Sequence, residues 1–340
     1  MERRIELICD EAASGQRLDQ LLADQLPDVH RSQLRSRLEQ PTVNGRAAKP
    51  STRVRSGDHI RATLRDPEPP AVQGEAIELD IIDETPEYLV VNKPQGMVVH
   101  PGAGNHHGTL VHALVGRYGD QFLNVGDDDT RIQRPGIVHR LDRETSGVMI
   151  VARTPATHAL LVGRFAERAV RKVYLAIVKG QPRRRAGVLS AAIGRHRHHR
   201  IRFAVHGEAS HVPTGVEPAD PPVPNGARAA TTQYRVLQFY REGYALVELK
   251  PRTGRTHQLR VHMQHLGLPI LGDPLYARAD ARFPDARMML HARELSLQPD
   301  RASSMRSFSA PVPRRFRDVL RELTPDPGLA YISLRNGSRD

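Results

Sequence analysis

Asp142 stands in the run His139-Arg140-Leu141-Asp142-Arg143-Glu144-Thr145-Ser146-Gly147, with an arginine close by on each side and a Thr-Ser-Gly turn behind it. Cations on both flanks favour the charged form of a carboxylate, so Asp142 is expected to stay ionised, ready to act as a nucleophile or as a base. A second concentration of reactive types is Lys250-Pro251-Arg252-Thr253-Gly254-Arg255-Thr256-His257-Gln258-Leu259-Arg260-Val261-His262. An arginine there could grip a carboxylate through two parallel hydrogen bonds. Cys9 is the sole cysteine, which excludes an intrachain disulfide and a cysteine-based zinc site. The histidine-rich run Arg195-His196-Arg197-His198-His199-Arg200 lacks Cys or carboxylate at ligand spacing, so no metal site is expected there.

The elements that must position these groups can be read from periodicity. Apolar residues in Leu79-Asp80-Ile81-Ile82, Tyr88–Asn92, Gly136–His139, Val148–Ala152, Lys172–Val178 and Tyr244–Leu249 suggest strands, whereas Ala156–Arg168 and Thr256–His265 read as helices. Strands and helices do not alternate in a strict βαβ rhythm, which favours an α+β domain on a mixed, mostly antiparallel central sheet with flanking helices. Upstream, Leu18, Leu21, Leu22 and Leu26 recur at helical spacing, and Arg31 to Leu38 starts a second helix whose Leu34 and Leu38 would face the first. Arg31 and Arg35 then share one face with Arg37 nearby, and Val43-Asn44-Gly45-Arg46 reads as a tight turn between short strands. The proline-rich stretch Asp66–Gly74 is a linker. The boundaries expected are a strand or extension at 1–15, a small basic module at 16–66, a linker at 67–76, a catalytic domain at 77–320 and a tail at 321–340. Within the catalytic domain, 206–229 carries five prolines and is expected to be a mobile surface loop.

The string HRLDRETSG resembles the signature of the RluA/RluD-type pseudouridine synthases, which isomerise uridine in structured RNA, and GRTHQLRVH resembles a second motif of that family. Asn92-Lys93-Pro94-Gln95-Gly96-Met97-Val98-Val99-His100-Pro101-Gly102 is similar to its opening motif, in the form found in the RluD-like branch that acts on large-subunit ribosomal RNA (rRNA). The resemblance covers residues 77 to about 320 and implies a pseudouridine synthase fold working without cofactor. The N-terminal pattern RLDQLL, RSQLRSRL, VNG and VRSGDHI resembles the S4 RNA-binding domain, with a shortened passage at Leu38–Gly45. Relative to the family, the 206–229 segment resembles an insertion.

The resemblance implies roles as well. Asp142 matches the catalytic aspartate, Arg255 is expected to be the arginine that clasps it, and Tyr174 matches the tyrosine that stacks on the target uracil. Arg140 is placed to fill the gap left by an everted uridine, Leu290 to line the uracil pocket, and His139, Thr145 and Lys93 to border the substrate. Arg195, Arg197 and Arg200 are expected to meet the RNA backbone together with Arg31, Arg35 and Arg37, and His257 and Arg260 to reach phosphates or form a solvated basic face.

Composition agrees with such a partner. The 340 residues hold 50 Lys+Arg against 38 Asp+Glu, a net charge of +12, with only 4% aromatics and no tryptophan. Binding by charge and shape is expected, rather than by stacking along an extended strand. No run approaches the ~18 apolar residues of a membrane span and the N-terminus lacks a signal peptide's apolar core, so a cytoplasmic monomer with no membrane partner is expected. Its partner would be RNA, as rRNA or the assembling large subunit. The competing readings are a non-catalytic RNA-binding or ribosome-assembly factor on the same fold, a synthase acting on tRNA, and a glycosidase with paired carboxylates.

Overall fold

Tyr88-Leu89-Val90-Val91-Asn92-Lys93 is apolar on both faces, as a strand covered from two sides must be. It lies inside the larger of two units into which the chain divides, residues 1–71 and 72–340. The computed structural model describes residues 2–26, 34, 38–65, 72–102, 104–126, 134–199 and 201–326.

The first unit carries a four-stranded antiparallel sheet in the order β1 (Glu2–Ile8), β4 (His59–Arg65), β2 (Leu38–Val43), β3 (Arg46–Ala47). Helix α1 (Leu18–Gln25) buries Leu18, Leu21 and Leu22, one apolar stripe at the predicted spacing, against Leu34, Val54, Ile60 and Leu64. Asn44 and Gly45 have φ of 50° and 77°, the left-handed pair that a two-residue hairpin turn requires. Leu38 opens β2 instead of ending a second helix, and it packs on the same core from the sheet side. Arg31, Arg35 and Arg37 lie outside the described residues.

The second unit is α+β, built on a ten-stranded mixed sheet. Its order is β10 (Phe203–Val212), β9 (Ala186–Arg195), β11 (Ala227–Tyr240), β12 (Tyr244–Pro251), β8 (Arg171–Lys179), β13 (Leu290–Leu297), β7 (Ser146–Ala152), β6 (Tyr88–Lys93), β5 (Ile81–Glu84), with β14 (Arg306–Ser309) also on β13. Every pairing is antiparallel except β13 with β7. Helices α2 (Leu110–Tyr118) and α3 (Pro155–Ala166) contribute to one apolar core with β6 and β7, while α4 (Gln258–His265) and α5 (Arg314–Arg321) contribute to a second with β8 and β12.

The parallel β7–β13 contact sets the register that matters for chemistry. His291 pairs with Ser146 and Ala292 with Gly147, while on the other side Leu290 pairs with Ala176 and Ala292 with Tyr174. The loop that ends at β7 therefore lies beside the tyrosine of β8. Gly147 permits this: its φ is 119°, and a Cβ there would sit 2.1 Å from the carbonyl oxygen of Ala292.

Several expectations need correction. Gly136–His139 is not a strand. Ile137 makes a single bridge to Val151, and the His139 ring accepts the Ile150 N–H where a backbone carbonyl would otherwise serve. The 206–229 segment is not one loop, because His206–Val212 completes β10 and Ala227 opens β11. Proline content conceals a strand whose register shifts between His206 and Ser210. The second unit starts by Val72, which is already in its core, and runs past 320, since Leu323 is buried and the Asp326 N–H bonds to the Phe239 carbonyl. Among the described residues no helix is long and apolar enough to cross a membrane.

Candidate active site

A cleft of about 450 Å³ opens where the Asp142 loop, β8, the start of β13 and the N-terminal end of α4 meet. Asp142, Arg140, Tyr174, Leu290, Arg255 and Arg260 all line it. Tyr174 is half-buried, and burial followed by the nearby charge of Asp142 pushes its phenol up, so it stays protonated.

Asp142 is clasped, but not by Arg255. Arg260 Nη1 donates to Asp142 Oδ2 at 3.0 Å, while its Nε and Nη2 fork onto Asp273 at 2.7 and 2.9 Å. Asp273 is fully buried and also accepts the N–H groups of Leu275 and Tyr276. Burial works against the guanidinium, but hydrogen bonding and charge from Asp273, then Asp142, outweigh it and raise its pKa. Arg260 thus joins a fixed anion below to a partly accessible one above. Arg255 precedes the helix. Its Nε donates to the Ala229 carbonyl at 3.2 Å, and its backbone N–H is held by Gln258. It borders the cleft without touching Asp142. Arg260, read from sequence as a phosphate contact or solvated face, is 4% exposed. His262 is buried on Thr232.

His257 is the second basic group at Asp142, with Nε2 4.0 Å from Oδ2. It caps α4 in the left-handed region, φ 56°, and its Nδ1 meets the Tyr276 hydroxyl at 2.9 Å. That hydroxyl also accepts the N–H of Phe203 at 2.8 Å. The Nε2 edge of the ring faces Asp142. Burial pushes the His257 pKa down, against the pull of Asp142.

The remaining predicted residues divide between lining and support. Arg140 is exposed at the cleft, with no carboxylate in ion-pair range among the described residues. Thr145 lines the cleft and its N–H closes the turn on the Asp142 carbonyl. His139 lines it too, but its ring stacks on Phe165 at 4.6 Å and burial pushes it down to about 3, which makes it a neutral acceptor for Ile150. Lys93 does not line the cleft. It is buried, pushed down to about 7 by desolvation, and its Nζ donates to the carbonyls of Pro94, Met97 and Arg143. Gln95 adds bonds to the carbonyls of Glu144 and Met288. The turn at 93–97 therefore holds the Asp142 loop from behind.

Comparison with known proteins gives the family. Residues 87–265 match the family model described as RNA pseudouridylate synthase. An uncharacterized RNA pseudouridine synthase of Chloroflexus aurantiacus is 40% identical over 324 residues, covering 95% of this chain and 94% of that one. The chain belongs to the RNA pseudouridine synthase family. Ribosomal large subunit pseudouridine synthase D of Nitrosomonas europaea is 38% identical over 322 residues, 92% of this chain and 86% of the relative. The solved structure of human RNA pseudouridylate synthase domain containing 1 superposes with a TM-score of 0.56 at 29% identity, covering 77% of this chain and 93% of that one.

On this synthase the basic hairpin β9–β10 reaches His257 of the cleft through one aromatic ring. The Arg195 guanidinium lies 5.6 Å over Phe203, whose ring meets the edge of His257 at 5.5 Å. Arg197 is exposed at the hairpin end, and Arg200 lies outside the described residues. Sequence reasoning misses Asp273 and Tyr276. Their one signal is an acid and a tyrosine set in the apolar run Leu271-Gly272-Asp273-Pro274-Leu275-Tyr276, which no periodicity explains.

Proposed function

We propose that this RNA pseudouridine synthase acts on uridines of large-subunit rRNA, with Asp142 as the group that opens the glycosidic bond. Asp142 acts on the ribose, either by attack at C1′ or by removing a sugar proton. The C1′–N1 bond breaks with its electron pair passing to the uracil, the uracil turns, and C5 bonds to C1′ as the Asp142–C1′ bond breaks or, on the other route, as the removed proton returns to the sugar; the C5 proton then leaves and N1 is protonated. Arg260 holds the carboxylate in place through these steps without reorganising, because Asp273 fixes its other edge.

The single observation that carries this reading is a carboxylate 22% exposed at a cleft, bonded at 3.0 Å to a buried arginine and bordered by a half-buried tyrosine ring. Tyr174 offers its face to the uracil and Leu290 an apolar wall. A uridine in folded RNA must leave its stack to reach them, at a cost of a few kcal/mol, and Arg140 is the exposed cation positioned to brace the gap. Arg195 and Arg197 supply backbone contacts, and Arg255 offers a further donor within the cleft. Residues 16–66 act as an S4-like docking module. The rRNA substrate is supported by the relative from Nitrosomonas europaea, whose name specifies the large ribosomal subunit. An enzyme of assembling ribosomes works in the cytoplasm.

The experiment incubates the purified protein with unmodified large-subunit rRNA and, separately, with unmodified tRNA, and measures pseudouridine by nucleoside chromatography. Product in the rRNA and none in the tRNA is expected. Product confined to tRNA would replace the substrate, and none in either would remove the activity.

A further inference from the structure

We propose that Glu75, His107 and His112 form a binding site for one divalent transition-metal ion of the zinc class, separate from the cleft. One ligand atom from each lies within 4.8 Å of the other two, and none of the three residues lines the cleft. Glu75 Oε1 is 3.2 Å from His107 Nδ1 and 3.9 Å from His112 Nε2. Tetrahedral zinc with bonds of ~2.0–2.2 Å places its ligand atoms about 3.3 Å apart, so the Glu75–His112 pair must close by about half an ångström and the exposed His107 ring must turn to complete the set.

Two of the three ligands are already held. The Glu75 N–H bonds to the His112 carbonyl at 2.9 Å, and a Cβ on Gly116 would lie 2.2 Å from the Glu75 carbonyl oxygen, so this backbone lies directly on α2. The Gly108 N–H is shared between Glu75 Oε2 at 3.0 Å and Oε1 at 3.2 Å, and Oε1 also faces the imidazoles. His112 is 3% exposed, and its Nδ1 is 2.7 Å from the hydroxyl of Thr109. That nitrogen also accepts the Thr109 N–H at 3.3 Å, so binding of a metal at Nε2 moves the ring proton to Nδ1, where the hydroxyl accepts it, and gives up this cap bond. His107 is 82% exposed and completes the set from the solvent side. Two imidazoles and one carboxylate with a coordination position left open suit Zn²⁺ and its neighbours better than Mg²⁺ or Ca²⁺. The ion would clip the segment that opens the second unit to the start of α2. No local spacing signals this site, because the carboxylate lies 32 positions before the nearer histidine.

The histidine cluster at His196, His198 and His199, whose rings also approach one another, is the internal control. The full chain, stripped with chelator, is titrated with Co²⁺ and then Zn²⁺. One equivalent of Co²⁺ with visible absorption, displaced by Zn²⁺, is expected, and Zn²⁺ raises the unfolding midpoint by about 2 °C or more. His106→Ala with His107→Ala, and separately Glu75→Gln, should weaken uptake about tenfold or more, whereas His199→Ala should leave it unchanged. The paired histidine variant alters exposed rings only, so its fold is not at risk. No stoichiometric uptake, uptake unchanged in these variants, or its loss in His199→Ala would overturn the site.

Discussion

Two arginines five positions apart in one motif have different roles here, and the difference is physical. Arg255 sits before α4 and bonds to a backbone carbonyl, whereas Arg260 lies in the first turn of the helix with Asp142 on one side and the fully buried Asp273 on the other. Removing Arg260 leaves the buried Asp273 carboxylate without its counter-charge, held only by two backbone N–H groups, which costs about 3–5 kcal/mol. Arg260→Ala should therefore lower both the unfolding midpoint and the turnover, the latter about a hundredfold or more. Arg255→Ala should leave stability within about 1 kcal/mol of wild type; chemical denaturation and single-turnover rates separate the two, and a collapse confined to Arg255→Ala would refute the assignment. The motif announces that an arginine faces Asp142, but the choice between the two depends on Asp273, which no local pattern flags. Histidines add a pH dependence. Burial pushes His139, His262 and His291 to about 3, below the ordinary 6.5, so the unfolded chain binds more protons between those values. Their contribution to stability is complete above pH 6.5 and is lost as pH falls toward 3. By pH 5 the loss is ~1–2 kcal/mol for each of His262 and His291, both fully buried. Urea unfolding at pH 7.5 and 5.0 should show this fall, and a variant with His262→Gln and His291→Gln should show a smaller one; an equal fall in both proteins would assign it elsewhere.

Among elements, the contact of β7 with β13 carries the site, since it brings the Asp142 loop to Tyr174 and Leu290. Gly147 is its narrowest point. Gly147→Ala must push the Ala292 backbone aside or rotate away from φ 119°, and it should cost more than ~3 kcal/mol and most of the activity, read by thermal unfolding and rate. A variant with wild-type stability would show that the two strands do not need this approach. Five of the ten strands of the second unit, β5, β6, β7, β8 and β12, are legible, most of them because their apolar runs are long, as in Tyr88–Lys93, Ser146–Ala152 and Arg171–Lys179. Strand β10 is not, because its burial is only partial and its neighbours are rich in proline. The pairing order of the sheet, and with it the one parallel contact, is long-range information that no window of sequence holds.

For the whole molecule, a net charge of +12 makes RNA affinity fall with salt. Replacing Arg195 and Arg197 by alanine should reduce the slope of log affinity against log salt by roughly 0.7–0.9 for each phosphate that is no longer neutralised. An unchanged slope would take the hairpin off the RNA. The two units each have their own apolar core, so removal of residues 1–71 should weaken binding to large rRNA more than it slows isomerisation of a short stem-loop. Equal affinity for large rRNA with and without that unit would refute its docking role. The central claim is that the clasped carboxylate performs the isomerisation while the rest of the chain binds and presents the RNA. It is tested most directly by measuring RNA affinity and single-turnover pseudouridine formation side by side for wild type and Asp142→Asn. Equal binding with no product from the variant is predicted; equal rates of product formation would contradict it.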